Sequence, residues 1–357
     1  MKRHTNIGRV HKALSIAILA SLGSGAVHAQ PAKPARDFDA EITAAIRAAK
    51  KASGFEFTGA LARVCVLPQS GGVNNTDVPW KYVSDPSTIP PRSRWYADPI
   101  KVFDNFYFVG GKEHSSWAMT TKDGIILFET TYPYNSEELV IGGMKRLGLD
   151  PNDVKYLVIA HGHGDHLGGA EVMQKQYPNM RLVMGGPDWD LVEKFPKRYL
   201  SMAPKRDITA TDGMKLTLGE STISIWHTPG HTPGTLSYTF TVQDRGRPVN
   251  VAYSGGTAFN FVNNVPDPGI KNFQIYIDSQ RRFAQKAAES KATVMLSNHS
   301  EFDNAYNKNR MLAGRGDGPH PYEGGAEQVQ RYLATLEHCA RAAQIKLEQQ
   351  LAQSSAK

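Results

Sequence analysis

Ala160-His-Gly-His-Gly-Asp-His-Leu-Gly-Gly169 gathers four side chains of metal-ligand type, His161, His163, Asp165 and His166, within six residues. The stretch follows the apolar run Val154-Lys-Tyr-Leu-Val-Ile-Ala160, which reads as a buried strand. In layered α/β folds the loops at the carboxyl ends of strands build sites. Gly162 and Gly164 let the backbone turn tightly enough for neighbouring imidazoles to converge. Imidazole and carboxylate together suit zinc or another borderline first-row metal. A surface turn with incidental histidines accounts poorly for ligand types at this density.

Three further strand ends lie downstream. Thr228-Pro-Gly-His231-Thr-Pro-Gly234 follows an alternating strand that ends at Trp226, and its two Pro-Gly turns pin the backbone around His231. His227, at the edge of that turn, reads as structural. Ser297-Asn-His299-Ser300 follows a second apolar strand. Tyr253-Ser-Gly-Gly-Thr257 also ends a strand, yet carries no His, Asp or Cys.

Upstream of the loop, Val102–Val109 reads as two short strands around an Asp-Asn turn, and 116–121 and 124–129 as a hairpin. Asn135 to Leu147 is expected as a helix stopped at Gly148, and 168–177 as another. The second half repeats the order: strands at 215–218, 222–226, 236–242 and 249–254, a helix at 273–289, a strand at 293–297 and a long helix from Gly325. Strands followed by a helix, twice over, predict two packed sheets with helices on both outer faces. This places one catalytic domain over 96–345. Before it, 30–95 is expected as an extended arm holding one short helix at Ala40–Lys51, because 68–99 is rich in Pro, Ser, Gly and Asn. Residues 346–357 are expected as a C-terminal tail.

The 357-residue chain carries a formal charge of +7. Lys2, Arg3, Arg9 and Lys12 supply four of these charges, and they lie where residues 1–29 read as a secretory signal peptide. That segment has a basic start, an apolar stretch from Ala13 to Val27 and a small-residue end at Ala29, after which cleavage is expected. Without those four, 37 basic residues face 34 acidic ones. A balance of +3 gives no footprint for nucleic acid. The apolar stretch is too short and too interrupted by glycine for a stable membrane anchor. The expected location is periplasmic or secreted. Cys65 and Cys339 either pair there, tying the early segment to the last helix, or remain buried thiols.

His-x-His-x-Asp-His after a strand, Thr-Pro-Gly-His-Thr-Pro-Gly downstream and a late strand-end histidine resemble the metallo-β-lactamase superfamily over roughly 95–305. The resemblance implies a four-layer αβ/βα sandwich with two zinc ions at one edge of the sheets. It implies that His161, His163 and His231 hold the first ion, and Asp165, His166 and His299 the second. Lactonases and related branches usually carry an Asp, and two β-lactamase subclasses a Cys, where this chain has Gly255-Gly256. The pattern is therefore most like the third subclass of class B β-lactamases, in a divergent form. Glu129 stands where the superfamily usually has Asp.

The expectation is a zinc-dependent hydrolase of a small-molecule substrate, a β-lactam or other cyclic amide. Its nucleophile would be a zinc-bound hydroxide oriented by Asp165 in a centre with His161, His163 and His166. The alternatives are a dizinc hydrolase of lactones or other esters, and a non-catalytic exported zinc-binding protein. No Gly-x-Ser-x-Gly motif offers a protein nucleophile. Ser254, Thr257, Asn260 and the basic segment 194–205 are candidates for gripping a substrate carboxylate, or are ordinary surface and turn residues. His114-Ser-Ser-Trp117 lines the cleft, or else Trp117 belongs to the core.

Overall fold

The strand that feeds the ligand loop, β5 (Val154–Val158), runs through the middle of a seven-stranded sheet. The computed structural model describes residues 36–68, 85–194, 203–259 and 266–356. All of these but Arg36 belong to one unit, Asp37–Lys357. The expected signal peptide lies outside the described residues.

In the first sheet the order is sequential. β1 (Ile100–Phe103), β2 (Phe106–Phe108), β3 (Trp117–Thr121) and β4 (Gly124–Phe128) pair antiparallel. β4, β5, β6 (Arg181–Gly185) and β7 (Ile208–Ala210) then pair parallel. The second sheet runs β8 (Lys215–Leu218), β9 (Ser221–His227), β10 (Leu236–Asp244) and β11 (Arg247–Ser254), all antiparallel, with β12 (Val294–Ser297) parallel to β11 at its other edge.

Strand alternation sorts the side chains into three cores. Ile126 and Phe128 of β4, Val251 and Tyr253 of β11, and Leu296 of β12 point between the sheets, where they meet Phe106, Trp117, Tyr238 and Phe240. Their neighbours Ile125, Leu127 and Leu157 point outward and are covered by the helical stretch 137–146, α3 (Ala170–Gln176) and α4 (Gly186–Glu193). On the second sheet Ala252 and Met295 point outward. They meet α1 (Phe38–Ser53), α2 (Thr58–Val64), α5 (Pro266–Glu289) and α7 (Gly325–Ser355). Two strand layers between two helix layers make the four-layer αβ/βα sandwich, the metallo-β-lactamase fold.

Two parts differ from the sequence reading. Within the expected arm, 38–64 forms two helices, and Ala49 and Val64 of the helices and Phe57 between them are buried against α7 and α5. Cys65, just past α2, is disulfide-bonded to Cys339 on α7. Pro, Gly and Ser dominate only the residues after this pair, and 69–84 lie outside the described residues. The expected tail is also helix, because α7 continues to Ser355 with Leu347 buried on its inner face. α6 (Ala305–Leu312) and α4 were not anticipated from pattern. Among the described residues no helix is long and apolar enough to cross a membrane.

Candidate metal centre

Strand direction determines where the ligand residues emerge. β4 and β5 are parallel, so Glu129 and the His161 loop leave the first sheet at one edge. β9 and β11 are both antiparallel to β10, and β12 is parallel to β11. The loops holding His231, Gly255 and His299 therefore leave the second sheet together. Leu236 N donates to Ala160 O at 2.8 Å, which joins the two edges beside the ligand loop.

His161, His163 and His231 form one group able to hold a metal ion. His161 Nδ1 lies 2.8 Å from Gly255 O, and His231 Nδ1 lies 2.9 Å from Ala258 O. A carbonyl oxygen only accepts, so each ring carries its proton on Nδ1 and bares a lone pair at Nε2. Those two Nε2 atoms face each other at 3.0 Å, and His163 Nδ1 lies 3.1 Å from His231 Nε2. Two bare lone pairs at that distance repel unless a cation sits between them. Burial first, then the neighbouring imidazoles, hold the pKa of His161 and His231 well below the usual histidine range. Burial lowers that of His163 to about 4. Neutral, converging imidazoles are the donor set that a zinc-like ion requires.

The second group is charged. Asp165 Oδ2 lies 3.2 Å from His166 Nε2, 3.4 Å from His299 Nε2 and 3.3 Å from His114 Nε2. His166 and His299 turn their Nε2 atoms toward each other at 3.1 Å. Burial opposes a charge on His166, but the Asp165 and Glu129 carboxylates outweigh it and push its pKa up to about 10. Burial would likewise raise the pKa of Asp165, yet His166, His114 and His299 hold it well below the carboxylate range. His161, Asp165 and His166 form a group that could hold a metal, as do His114, Asp165 and His299.

Buried polar groups behind the ligands hold them in place, as metal sites generally require. Glu129 is fully buried with φ 61°, a left-handed conformation that costs a non-glycine residue energy and is concentrated at functional sites. Its Oε1 accepts from Ala160 N at 3.0 Å, and its Oε2 faces His166 Nδ1 at 3.4 Å. This side chain thus fixes the start of the ligand loop and sets a carboxylate oxygen opposite the His166 ring. Asn298 donates its Nδ2 to Gly255 O at 2.7 Å. Asp188 at the start of α4 bridges the two loops of the first group. Its Oδ2 accepts from Gly162 N and Thr232 Oγ1, both at 2.7 Å, and its Oδ1 accepts from Gly234 N at 2.8 Å.

Gly255 and Gly256 bring more to the centre than a missing ligand. A Cβ on Gly255 would stand 1.8 Å from Leu236 O, and one on Gly256 would stand 2.5 Å from His231 Cβ. With this backbone neither position accepts a side chain, and Gly255 contributes its carbonyl to His161 instead.

The six residues singled out as ligands in the sequence come together at this edge. The expected substrate contacts do not. Trp117 is fully buried, stacked on Phe106 at 4.9 Å and edge-on to Phe108 and Tyr322. Alternation along β3 points it between the sheets, so it is core. Ser254 and Thr257 are also enclosed, with Thr257 Oγ1 2.7 Å from Tyr332 Oη and 3.2 Å from Ser297 Oγ. Asn260 and most of the basic segment, 195–202, lie outside the described residues. His227 turns its Nε2 to Ala210 O at 3.1 Å, a structural contact. Sequence reading missed Asp188, whose local signal, an acid in Gly-Gly-Pro-Asp, resembles any helix start. Asn298 was passed over although it adjoins His299.

Residues 109–245 match the Metallo-beta-lactamase superfamily, to which the chain is similar in sequence over that stretch. An N-acyl homoserine lactonase of Bacillus sp is 25% identical over 169 residues, 46% of this chain and 64% of that protein. The match thus spans less than two thirds of this relative. A second N-acyl homoserine lactonase, from Bacillus cereus, is 24% identical over 51% of this chain and 69% of its own length. Among solved structures, a subclass B3 metallo-beta-lactamase of Bradyrhizobium japonicum superposes with a TM-score of 0.54. Its identity is 25%, covering 73% of this chain and 96% of that one. A metallo-beta-lactamase from Legionella gormanii gives a TM-score of 0.57 at 19% identity, covering 73% of this chain and 98% of that one, and is alike in fold.

Proposed function

We propose that this chain is an exported dizinc hydrolase that opens the amide of β-lactams. The observation that carries the reading is the pair of unprotonated Nε2 atoms of His161 and His231, 3.0 Å apart, beside the second group built on Asp165. His161, His163 and His231 would hold one zinc, and Asp165, His166 and His299 the other. Zinc supplies Lewis-acid catalysis and water acidified to near neutrality when bound in such a centre. The chain's own residues hold and orient. Gly255 O and Ala258 O fix the rings of the first group, Glu129 sets a carboxylate oxygen opposite the His166 ring, and Asp165 is the carboxylate nearest both groups. The missing acid or thiol at Gly255-Gly256 and the subclass B3 structural relative support a β-lactam substrate. Export is supported by residues 1–29 and by the Cys65–Cys339 disulfide, a bond of oxidising compartments.

Lactone hydrolysis is the second reading, favoured by the two Bacillus lactonases among the sequence relatives. Initial rates on a chromogenic cephalosporin and on an N-acyl homoserine lactone, with and without chelator, separate the two. Chelator-sensitive cephalosporin hydrolysis well above lactone hydrolysis is expected. The reverse preference would replace the substrate assignment, and turnover that survives metal removal would reject the centre.

A further inference from the structure

We propose that His114 is a positioning residue of the second metal group, holding the Asp165 carboxylate in place; the proposal rests on the metal-centre reading above. Three imidazoles aim Nε2 at the same oxygen, Asp165 Oδ2: His166, His299 and His114, at 3.2, 3.4 and 3.3 Å. The first two also turn toward each other at 3.1 Å, as two ligands of one ion do. The His114 ring centroid is 6.0 Å from that of His166 and, edge-on, 4.7 Å from that of His299, and its polar contact with the centre is the Asp165 carboxylate. Catalytic zinc sites keep a position open beside three protein ligands. With Asp165, His166 and His299 as those three, the Nε2–H of His114 serves by donating to Asp165 Oδ2.

The placement of His114 is built into the fold. Its segment is laced to the His299 loop by backbone hydrogen bonds on either side, Ser300 N to Glu113 O at 2.8 Å and Ser115 N to Asn298 O at 2.9 Å. Ser115 Oγ and Ser300 Oγ lie 3.0 Å apart, and Ser300 Oγ also donates to Gly111 O at 2.9 Å. The ring rests edge-on against Tyr132 and His299, at 4.9 and 4.7 Å between centroids. The side chain is 11% exposed, so little water competes for the contact with Asp165. The 110–116 loop thus belongs to the centre although it supplies none of the six ligand residues.

The test is competition between the full chain and a chromophoric chelator for zinc, comparing wild type, His114→Ala and His114→Gln. Loss of an outer partner lowers metal affinity about 10- to 100-fold. That loss is expected for the second ion of His114→Ala only, with the first ion unaffected. His114→Gln, whose amide N–H reaches the same oxygen, is expected to recover most of the affinity, which a merely structural role would not predict. Equal second-ion affinity in all three proteins would overturn the proposal. So would a loss that Gln does not recover, accompanied by a changed visible spectrum of the cobalt-substituted protein, because His114 would then be a ligand. A wild type that takes up one ion fails the two-metal reading and the proposal with it, whereas two ions held equally by both variants fails the role of His114 alone.

Discussion

The ligand edge and the helical flank of α1, α2 and α7 are built on opposite principles. At the edge, lone pairs face lone pairs, a buried glutamate sits at positive φ, and carboxylates are surrounded by imidazoles. The flank buries Ala49, Phe57, Val64, Leu333 and Leu336 with apolar contacts and one disulfide. The edge is destabilised so that an ion can settle it, while the flank holds the fold whether or not an ion is present. Damage to the first should cost metal and rate with little loss of fold. Damage to the second should cost fold and leave metal affinity alone.

The largest effect on the edge is expected for His231→Ala. His231 Nε2 is the atom that both His161 and His163 approach. Its loss should remove the first ion and lower the rate by more than the roughly 100-fold that outer partners cost. Melting of the metal-free variant should stay close to that of the metal-free wild type. Elemental analysis alongside calorimetry checks both halves, and two ions retained would break the assignment. Asp188→Ala is expected to blur the contrast, because Asp188 serves fold and site together. It leaves Gly162 N, Gly234 N and Thr232 Oγ1 without their acceptor. Buried donors stripped of partners cost about 1–3 kcal/mol each, so for three donors a loss of about 3 kcal/mol or more is expected by denaturant titration. First-ion affinity should fall with it, about tenfold or more.

The same contrast explains what could be read from sequence. Ligand chemistry is carried by residue type, so His161, His163, Asp165 and His166 announce themselves, and the Pro-Gly turns pick out His231. Strands β3, β4, β9 and β12 were legible because both-face or one-face burial writes its period directly into the residues. On the flank the helices at 40–51 and from Gly325 were expected and the Cys65–Cys339 pair was one of two alternatives, but α2 was not legible, because its apolar side chains have meaning only against α7, more than 250 residues away, and geometry decides the pairing. Supporting residues were hidden for a related reason. Asp188 looks like any acid at a helix start, and Trp117 offered an aromatic that alternation on β3 sends inward. Gly255 was read for the side chain it lacks, whereas its carbonyl does the work of orienting His161.

Opening the disulfide sharpens the comparison from the other side. Cys65 and Cys339 close a loop with a sequence separation of 274. Cys65→Ser with Cys339→Ser should lower stability by about 2–4 kcal/mol, through the unfolded chain more than through lost contacts. Zinc affinity measured well below the melting transition should be unchanged. A loss of second-ion affinity in the still-folded variant would mean that the flank positions the edge, and the division drawn above would fail.

The smallest effect is expected where the two regions touch. Arg63 on α2 reaches Glu301, one residue past Ser300, with Nη2 2.6 Å from Oε1, and the same oxygen lies 3.8 Å from His299 Nδ1. The Arg63 side chain is 60% exposed. Solvent therefore screens the pair, and Arg63→Ala should cost less than about 1 kcal/mol. At 3.8 Å the Glu301–His299 contact is also too long for a hydrogen bond. His299 is instead held by its loop, whose backbone is tied to Glu113 and Ser115 whatever happens at Arg63. Second-ion affinity in Arg63→Ala should therefore match wild type within about twofold, well inside the range that a lost outer partner produces. A fall of tenfold would show that α2 reaches the ligands through Glu301, and that the flank takes part in holding the second ion.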